Sequence, residues 1–293
     1  MTAKILNTTG WRIIDMLYIS PFFTAYFLIK AAVLGSALGS FICCFAYRYI
    51  NNESVLKGRS KCDKCGHVLG IIDLIPIIGY IVLRGKCRYC KEKISPASFL
   101  SEIILAVAFM LLVLRFNISE ELLRALIFTC LLMAIALIDL ESFIIPDKLI
   151  ISGIIIWIAT LPLMPDPLKN AGYGIIGGLS VAFGLFTLSI IFDKIKGQET
   201  LGGGDIKLFF VTGLYLGPMQ NLLNLIIACI VGIFFTFVFG NSIHKKAMGN
   251  TENYEKSGKF SKPVPFGPSI AFATLVTMLA GKYIISWYLG LFY

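Results

Sequence analysis

The chain has 293 residues, 57% of them hydrophobic and 15% charged, with a mean hydropathy of +0.82. A soluble domain carries about 25% charged residues, so the composition excludes an ordinary soluble protein and leaves an all-α polytopic membrane protein. The net charge of +9 raises nucleic acid as a partner, but the basic residues gather in loops between apolar runs, which argues for no nucleic acid and for a lipid bilayer instead.

A membrane-crossing helix needs about 20 mostly apolar residues. Residues 1–21 form an N-terminal segment in which Trp11 and Tyr18 predict an interfacial helix, without the basic, apolar and small-residue order of a cleavable signal peptide. The first transmembrane helix is expected over 22–46, followed by a polar loop over 47–97. Residues 98–293 hold seven more expected helices, over 98–115, 122–139, 148–164, 171–192, 205–217, 221–240 and 267–289, the sixth of the eight being the shortest. Within the loop, residues 71–83 are apolar but interrupted by Pro76 and Gly79, which predicts a re-entrant or strand-like hairpin. Residues 241–264 read as a polar loop. Gly35 and Gly39 in the first helix, and Gly172, Gly174, Gly177 and Gly178 in the fifth, predict close helix approach.

Basic residues crowd two loops, Arg48 to Lys93 and Lys245 to Lys262, while the opposite loops hold only Arg115, Arg124 and Lys169. Eight crossings put both basic loops on one side. The positive-inside rule makes that side cytoplasmic and both termini external, as for a multi-pass membrane protein.

Cys62, Cys65, Cys87 and Cys90 form two C-x-x-C pairs separated by 21 residues. Each pair makes a knuckle presenting two thiolates, and two knuckles complete the tetrahedron of a structural Zn2+ site. A reducing cytoplasmic loop disfavours the alternative of two disulfides. With four thiolates the metal keeps no position for water, so its expected role is to fold a loop too small for its own core. Cys43, Cys44, Cys130 and Cys229 fall within spans and read as small apolar residues.

Asp139, in ALIDLESFIIPD, and Asp205, in ETLGGGDIKLFF, stand at the cytoplasmic ends of apolar runs. A carboxylate at mid-bilayer costs about 2.5 to 3.5 kcal/mol on insertion scales, which makes each a functional candidate. Two close carboxylates share a proton, so that one acts as base on water and the other as acid toward a scissile carbonyl. Gly202, Gly203 and Gly204 would allow unusual backbone geometry and leave room for a peptide beside Asp205. The competing reading makes both aspartates helix-end residues at the interface. No H-E-x-x-H or P-loop sequence occurs, and the histidines, His67 and His244, lie in loops. A Ser-Lys dyad on Lys30 competes with a lysine snorkelling from the first helix.

From about Gly35 to Pro268 the chain resembles the type IV prepilin leader peptidases, membrane aspartic proteases that also process pseudopilins of competence and secretion systems. The resemblance rests on LGSALGSF with Arg48, GRSKCDKCGH, IPIIGYIVLRGKCRYCKEKISP, Glu102, IDLESFIIPD, LGGGDIKL and PFGPSIA in family order. It implies that Asp139 and Asp205 are catalytic, that Asp147 is a motif residue without direct chemistry, and that cleavage follows a glycine ending a short basic leader, on the cytoplasmic side. Glu102, Arg48 and Lys207 match as supporting positions, Lys207 as a partner for Asp205. Many members also methylate the new amino terminus with S-adenosylmethionine. Where that family has Leu-Asn after GSF and Leu-Pro after the arginine, this chain has Ile42-Cys43 and Tyr49-Ile50, so methyl transfer is left open.

Two other functions compete. A GxGD intramembrane protease with other substrates would carry a Tyr-Asp and a Pro-Ala-Leu motif, where this chain has Ile138-Asp139 and PFGP. A proton-coupled transporter would use the same acids without cleaving a leader.

Overall fold

The structure is a computed structural model that describes residues 20–54, 60–62, 64–70, 72–197, 202–249 and 265–291. The expected interfacial segment with Trp11 and Tyr18 lies outside the described residues. The described residues are mainly helical, with no strand among them: α1 (Pro21–Ile50), α2 (Ile78–Val82), α3 (Ala97–Phe116), α4 (Glu120–Ser142), α5 (Asp147–Thr160), α6 (Pro167–Lys196), α7 (Gly203–Leu216), α8 (Pro218–Gly249) and α9 (Gly267–Gly290).

Helices form at all eight expected positions, but only α1, α3, α4, α6, α8 and α9 are long and apolar enough to cross a membrane. Helices α5 and α7 have 14 residues each, about 21 Å at 1.5 Å per residue against a hydrocarbon core of about 30 Å. Other boundaries also move. Helix α1 runs through Ile50 rather than stopping at 46, because Asn51 caps the carbonyls of Tyr47 and Tyr49. Helix α8 continues to Gly249, through the first residues of the expected 241–264 loop. The 71–83 stretch is not strand-like: it holds a 3₁₀ turn at Ile72–Leu74 and the short α2.

Two apolar cores organise the bundle. One gathers Ala31, Ile42, Leu105, Phe109, Val113 and Ala134, from α1, α3 and α4. Gly35 and Gly39 make this possible, since a Cβ on either would fall 2.6 Å from a carbonyl of α3. The second core surrounds α7 with Phe128, Ile135, Val181, Leu208, Ala228 and Ile270. Gly174, Gly177 and Gly178 let α6 approach α7, whereas Gly172 faces open space. Outside these cores the surface is apolar, with Leu168 and Phe237 each 90% exposed, as expected where lipid replaces water.

The short α7 is fixed by polar contacts that periodicity does not reveal. Thr212 donates to Asn221 at 2.9 Å, Asn221 donates to the carbonyls of Gly177 and Phe209 at 3.0 Å, and Thr274 donates to Asn224 at 3.3 Å. All four side chains are fully buried, so the network binds α6, α7, α8 and α9 where water cannot compete. At the far end of α7, Arg124 donates to the Leu214 carbonyl at 3.3 Å and lies 4.8 Å from the Tyr215 ring centroid. A cation thus meets the negative end of the helix dipole.

Candidate active site and metal centre

Three helix ends meet around Asp139 and Asp205. Asp139 lies in the last turn of α4, which ends where Phe143 turns left-handed at φ 56 and returns its N–H to the Asp139 carbonyl at 2.9 Å. Asp205 lies in the first turn of α7, where its amide donates to the Gly202 carbonyl at 3.1 Å. The two carboxylates are electrostatic neighbours. Asp139 is 4% exposed and Asp205 is half-buried.

The third end belongs to α9. The Gly267 amide donates to Asp139 Oδ2 at 2.7 Å, within a buried contact. A Cβ at Gly267 would itself fall 2.7 Å from that oxygen, so only glycine lets the helix start this close. This contact ties the PFGP motif to the carboxylate, a connection that sequence alone did not supply. The N-termini of both α7 and α9 meet at the site, each bringing a positive dipole end to the carboxylates.

The glycines before Asp205 act through space rather than through backbone conformation. None of Gly202, Gly203 and Gly204 has positive φ, contrary to the expected unusual geometry. A Cβ at Gly202 would lie 2.9 Å from Asp205 Oδ2, and one at Gly204 would lie 3.1 Å from Ile145 Cβ, while Gly203 faces open space. Gly202 and Gly203, next to Asp205 in the chain, are exposed.

The supporting residues fall elsewhere than the motif order suggested. Lys207 does not pair with Asp205; its ammonium meets Asp147 Oδ1 at 2.7 Å. That pair ties the start of α5 to the first turn of α7, and its exposure makes it a weak link. Arg48 donates to the Ser54 carbonyl at 3.4 Å at the end of α1. Lys30 stays on α1 with its ammonium 4.3 Å from the Tyr26 ring centroid, apart from the carboxylates.

Glu102 forms a second centre. It is 5% exposed, accepts the Ile77 amide at 2.7 Å and accepts the Ser98 hydroxyl at 3.1 Å. Ile77 holds φ at 64, a costly geometry for a β-branched residue. Glu102 therefore anchors the strained start of α2 to α3. Glu102→Ala is expected to leave that amide unpaired, at about 1 to 3 kcal/mol. Limited proteolysis of the full-length protein should then cut within residues 72–97 several times faster, with Glu102→Gln intermediate.

The four cysteines meet as their spacing predicted. Their sulfurs all lie within 4.8 Å of one another, with Cys62 and Cys90 at 3.9 Å. A tetrahedral zinc with bonds of about 2.3 Å sets sulfurs about 3.8 Å apart, so the cluster fits the ion. The two knuckles repeat one design. Gly66 donates to the Cys62 carbonyl at 2.8 Å and Lys91 to the Cys87 carbonyl at 3.0 Å, and both residues are left-handed, at φ 70 and 62. Amides of Cys90 and Tyr89 point at the Cys87 sulfur and bring its thiol down to about 7, favouring the thiolate a metal needs. Arg88 pairs with the buried Asp73 at 2.9 Å, joining the second knuckle to the 3₁₀ turn.

Two family models match the chain. The Bacterial Peptidase A24 N-terminal domain matches residues 33–116, and the Type IV leader peptidase family matches residues 126–237. A relative from Bacillus subtilis, a prepilin leader peptidase/N-methyltransferase, is 32% identical over 88% of this chain and 96% of its own length. Relatives of the same name from Aeromonas hydrophila and Pseudomonas putida are 30% and 29% identical, over 79% and 88% of this chain and 74% and 92% of their own lengths. No solved structure matches the chain.

Proposed function

The chain belongs to the type IV leader peptidase family and is an enzyme that removes prepilin leaders, and from that premise we propose that Asp139 and Asp205 are the catalytic acids. The observation that carries the reading is the meeting of a buried carboxylate, a second carboxylate and two helix N-termini. The Gly267 amide occupies Asp139 Oδ2 and leaves Oδ1 for a water molecule. One carboxylate takes a proton from that water as the oxygen attacks the scissile carbonyl, and the other protonates the departing amine. The exposed Gly202 and Gly203 give the extended substrate room beside Asp205.

The protein is a multi-pass inner-membrane protein. We propose that all eight long and short helices cross, with the active site and zinc segment cytoplasmic and both termini outside, on the asymmetry of lysine and arginine between alternate loops. The domain division that follows, with the first boundary moved to the observed helix, is an N-terminal segment to residue 20, a first helix to 50, a zinc segment to 97 and a peptidase core to 293. Cys62, Cys65, Cys87 and Cys90 would hold Zn2+, which supplies folding energy and leaves no open position for a reacting group.

Methyl transfer by S-adenosylmethionine belongs to the relatives' names. At the positions departing from the pattern, Ile42 is buried and Tyr49 stacks on Phe45 with centroids 6.1 Å apart. Cleavage is the proposed reaction, and methyl transfer stays open as a second one, read by its own product.

Purified full-length protein incubated with a prepilin should release a leader ending in glycine, read by the mass of both products. Adding S-adenosylmethionine tests methylation as a gain of one methylene mass on the new amino terminus. An intact prepilin after prolonged incubation, together with proton-coupled uptake by vesicles holding the protein, would support the transporter instead.

A further inference from the structure

We infer that the open cavity between the second knuckle and the start of α3 binds the phosphate of an anionic phospholipid. The cavity, about 470 Å³, is lined by Tyr80, Arg84, Gly85, Lys86, Lys93 and Ser95 among others. The inference depends on this segment lying at the membrane surface and not on the cleavage chemistry, so the two can fail separately.

Charge is the first argument. Lys86 and Lys93 face each other across an isolated antiparallel bridge, which sets both side chains on one face. Like charges directly opposed repel, and an anion between them removes the cost. Asp73 is paired with Arg88, and among the described residues no carboxylate forms an ion pair with Arg84, Lys86 or Lys93. The metal cluster does not absorb this charge. Residues 60–97 contain seven basic and three acidic side chains, and a zinc tetrathiolate adds a double negative charge, leaving a positive surplus.

Geometry is the second argument. Arg84 is left-handed at φ 51 and Gly85, which adopts such a conformation freely, follows at φ 67, a turn that leaves Arg84 lining the cavity. Arginine presents a planar fork of donors that matches phosphate oxygens. A Cβ at Gly85 would lie 2.9 Å from the Tyr80 hydroxyl, so glycine is what allows the phenol to stand beside the cations. Tyr80 is itself fixed by stacking on Phe99 of α3, with centroids 4.6 Å apart.

The third argument selects a lipid over a soluble phosphate ester. Ile78, Ile81 and Val82 stand at i, i+3 and i+4 on α2 and are 58%, 59% and 67% exposed. Leu74 and Ile75, just before them, are also exposed. Glu102 and Phe99 hold this apolar ridge against the first turns of the membrane-spanning α3. A phospholipid satisfies both surfaces, its phosphate among the cations and its acyl chains against the ridge. A soluble ester satisfies only one.

The test uses full-length protein in detergent with mixed phosphatidylglycerol and phosphatidylcholine micelles, reading retained lipids by native mass spectrometry. Wild type should retain phosphatidylglycerol in preference, and K86Q/K93Q should lower that preference about tenfold. K61Q/K64Q, which removes the same charge from the first knuckle, should leave it unchanged. Zinc content verifies the fold of each variant, and R84Q carries the test if K86Q/K93Q loses metal. A wild-type preference in both K86Q/K93Q and R84Q, or an equal loss in K61Q/K64Q, overturns the site. Displacement of the lipid by millimolar glycerol phosphate overturns the choice of lipid.

Discussion

Replacing Asp139 or Asp205 by Asn is expected to reduce prepilin cleavage at least about 10³-fold, to the background of the assay, with the protein still folded and inserted. General acid and base catalysis by a placed side chain contributes about 10² to 10⁴-fold, and the proposed pair supplies both roles. The choice of Asn matters. An amide oxygen at position 139 can still accept the buried Gly267 N–H, so the junction of α4 with α9 keeps its contact. Asp139→Ala removes the acceptor and leaves that amide unpaired, adding a folding cost of about 1 to 3 kcal/mol. Asp139→Asn should therefore lose activity without losing protein level, whereas Asp139→Ala should lose some of both. At Asp205, half-buried and without such a tether, the two substitutions should behave alike. Expression is read by immunoblot of membranes and cleavage by the mobility of co-expressed prepilin. Normal processing by either Asn variant would remove that aspartate from the mechanism.

The two proposed centres could be inferred from the sequence because each rests on residues whose chemistry is costly in its context. Carboxylates at the ends of apolar runs and two C-x-x-C pairs have few structural uses, so their spacing carried the inference to Asp139, Asp205 and the cysteine tetrad. What stayed hidden depends on contacts between distant segments. Gly267 lies 128 residues from Asp139 in the chain, and nothing local distinguishes its amide from that of any helix start. The family resemblance offered Lys207 as a partner for Asp205, yet its long side chain reaches Asp147 on α5 instead. The glycines before Asp205 were legible as necessary but not in their reason, since free space and left-handed backbone both select glycine. Asn221 and Asn224 looked like ordinary polar residues in a span; only the packing of four helices shows that they stabilise the short α7. Helix ends were misjudged at α1 and α8 for a simpler reason: hydropathy marks where lipid ends, and a helix can continue into water.

Removing the metal should affect a different part of the molecule. Cys65→Ser and Cys90→Ser are each expected to take zinc from about one ion per chain to near none, because structural sites contribute on the order of 10 kcal/mol and need every thiolate. Residues 60–97 bury little apolar core of their own, and Cys87 is their one fully enclosed cysteine. Without metal the described residues of the knuckles keep short backbone bonds, the His67–Tyr89 ring contact at 3.6 Å and the Arg88–Asp73 pair. Trypsin, which cuts after lysine and arginine, should then cleave this segment at least about tenfold faster, given its seven basic residues. The carboxylate site sits on α4, α7 and α9, none of which carries a cysteine ligand. Cleavage should consequently fall less than in the aspartate variants, and a strong chelator should reproduce the cysteine effect on wild type and add nothing to the variants. Full zinc content in either cysteine variant would show that the tetrad is not the site. Unchanged trypsin resistance after verified metal loss would instead mean that Glu102 and Arg88 hold the segment without it.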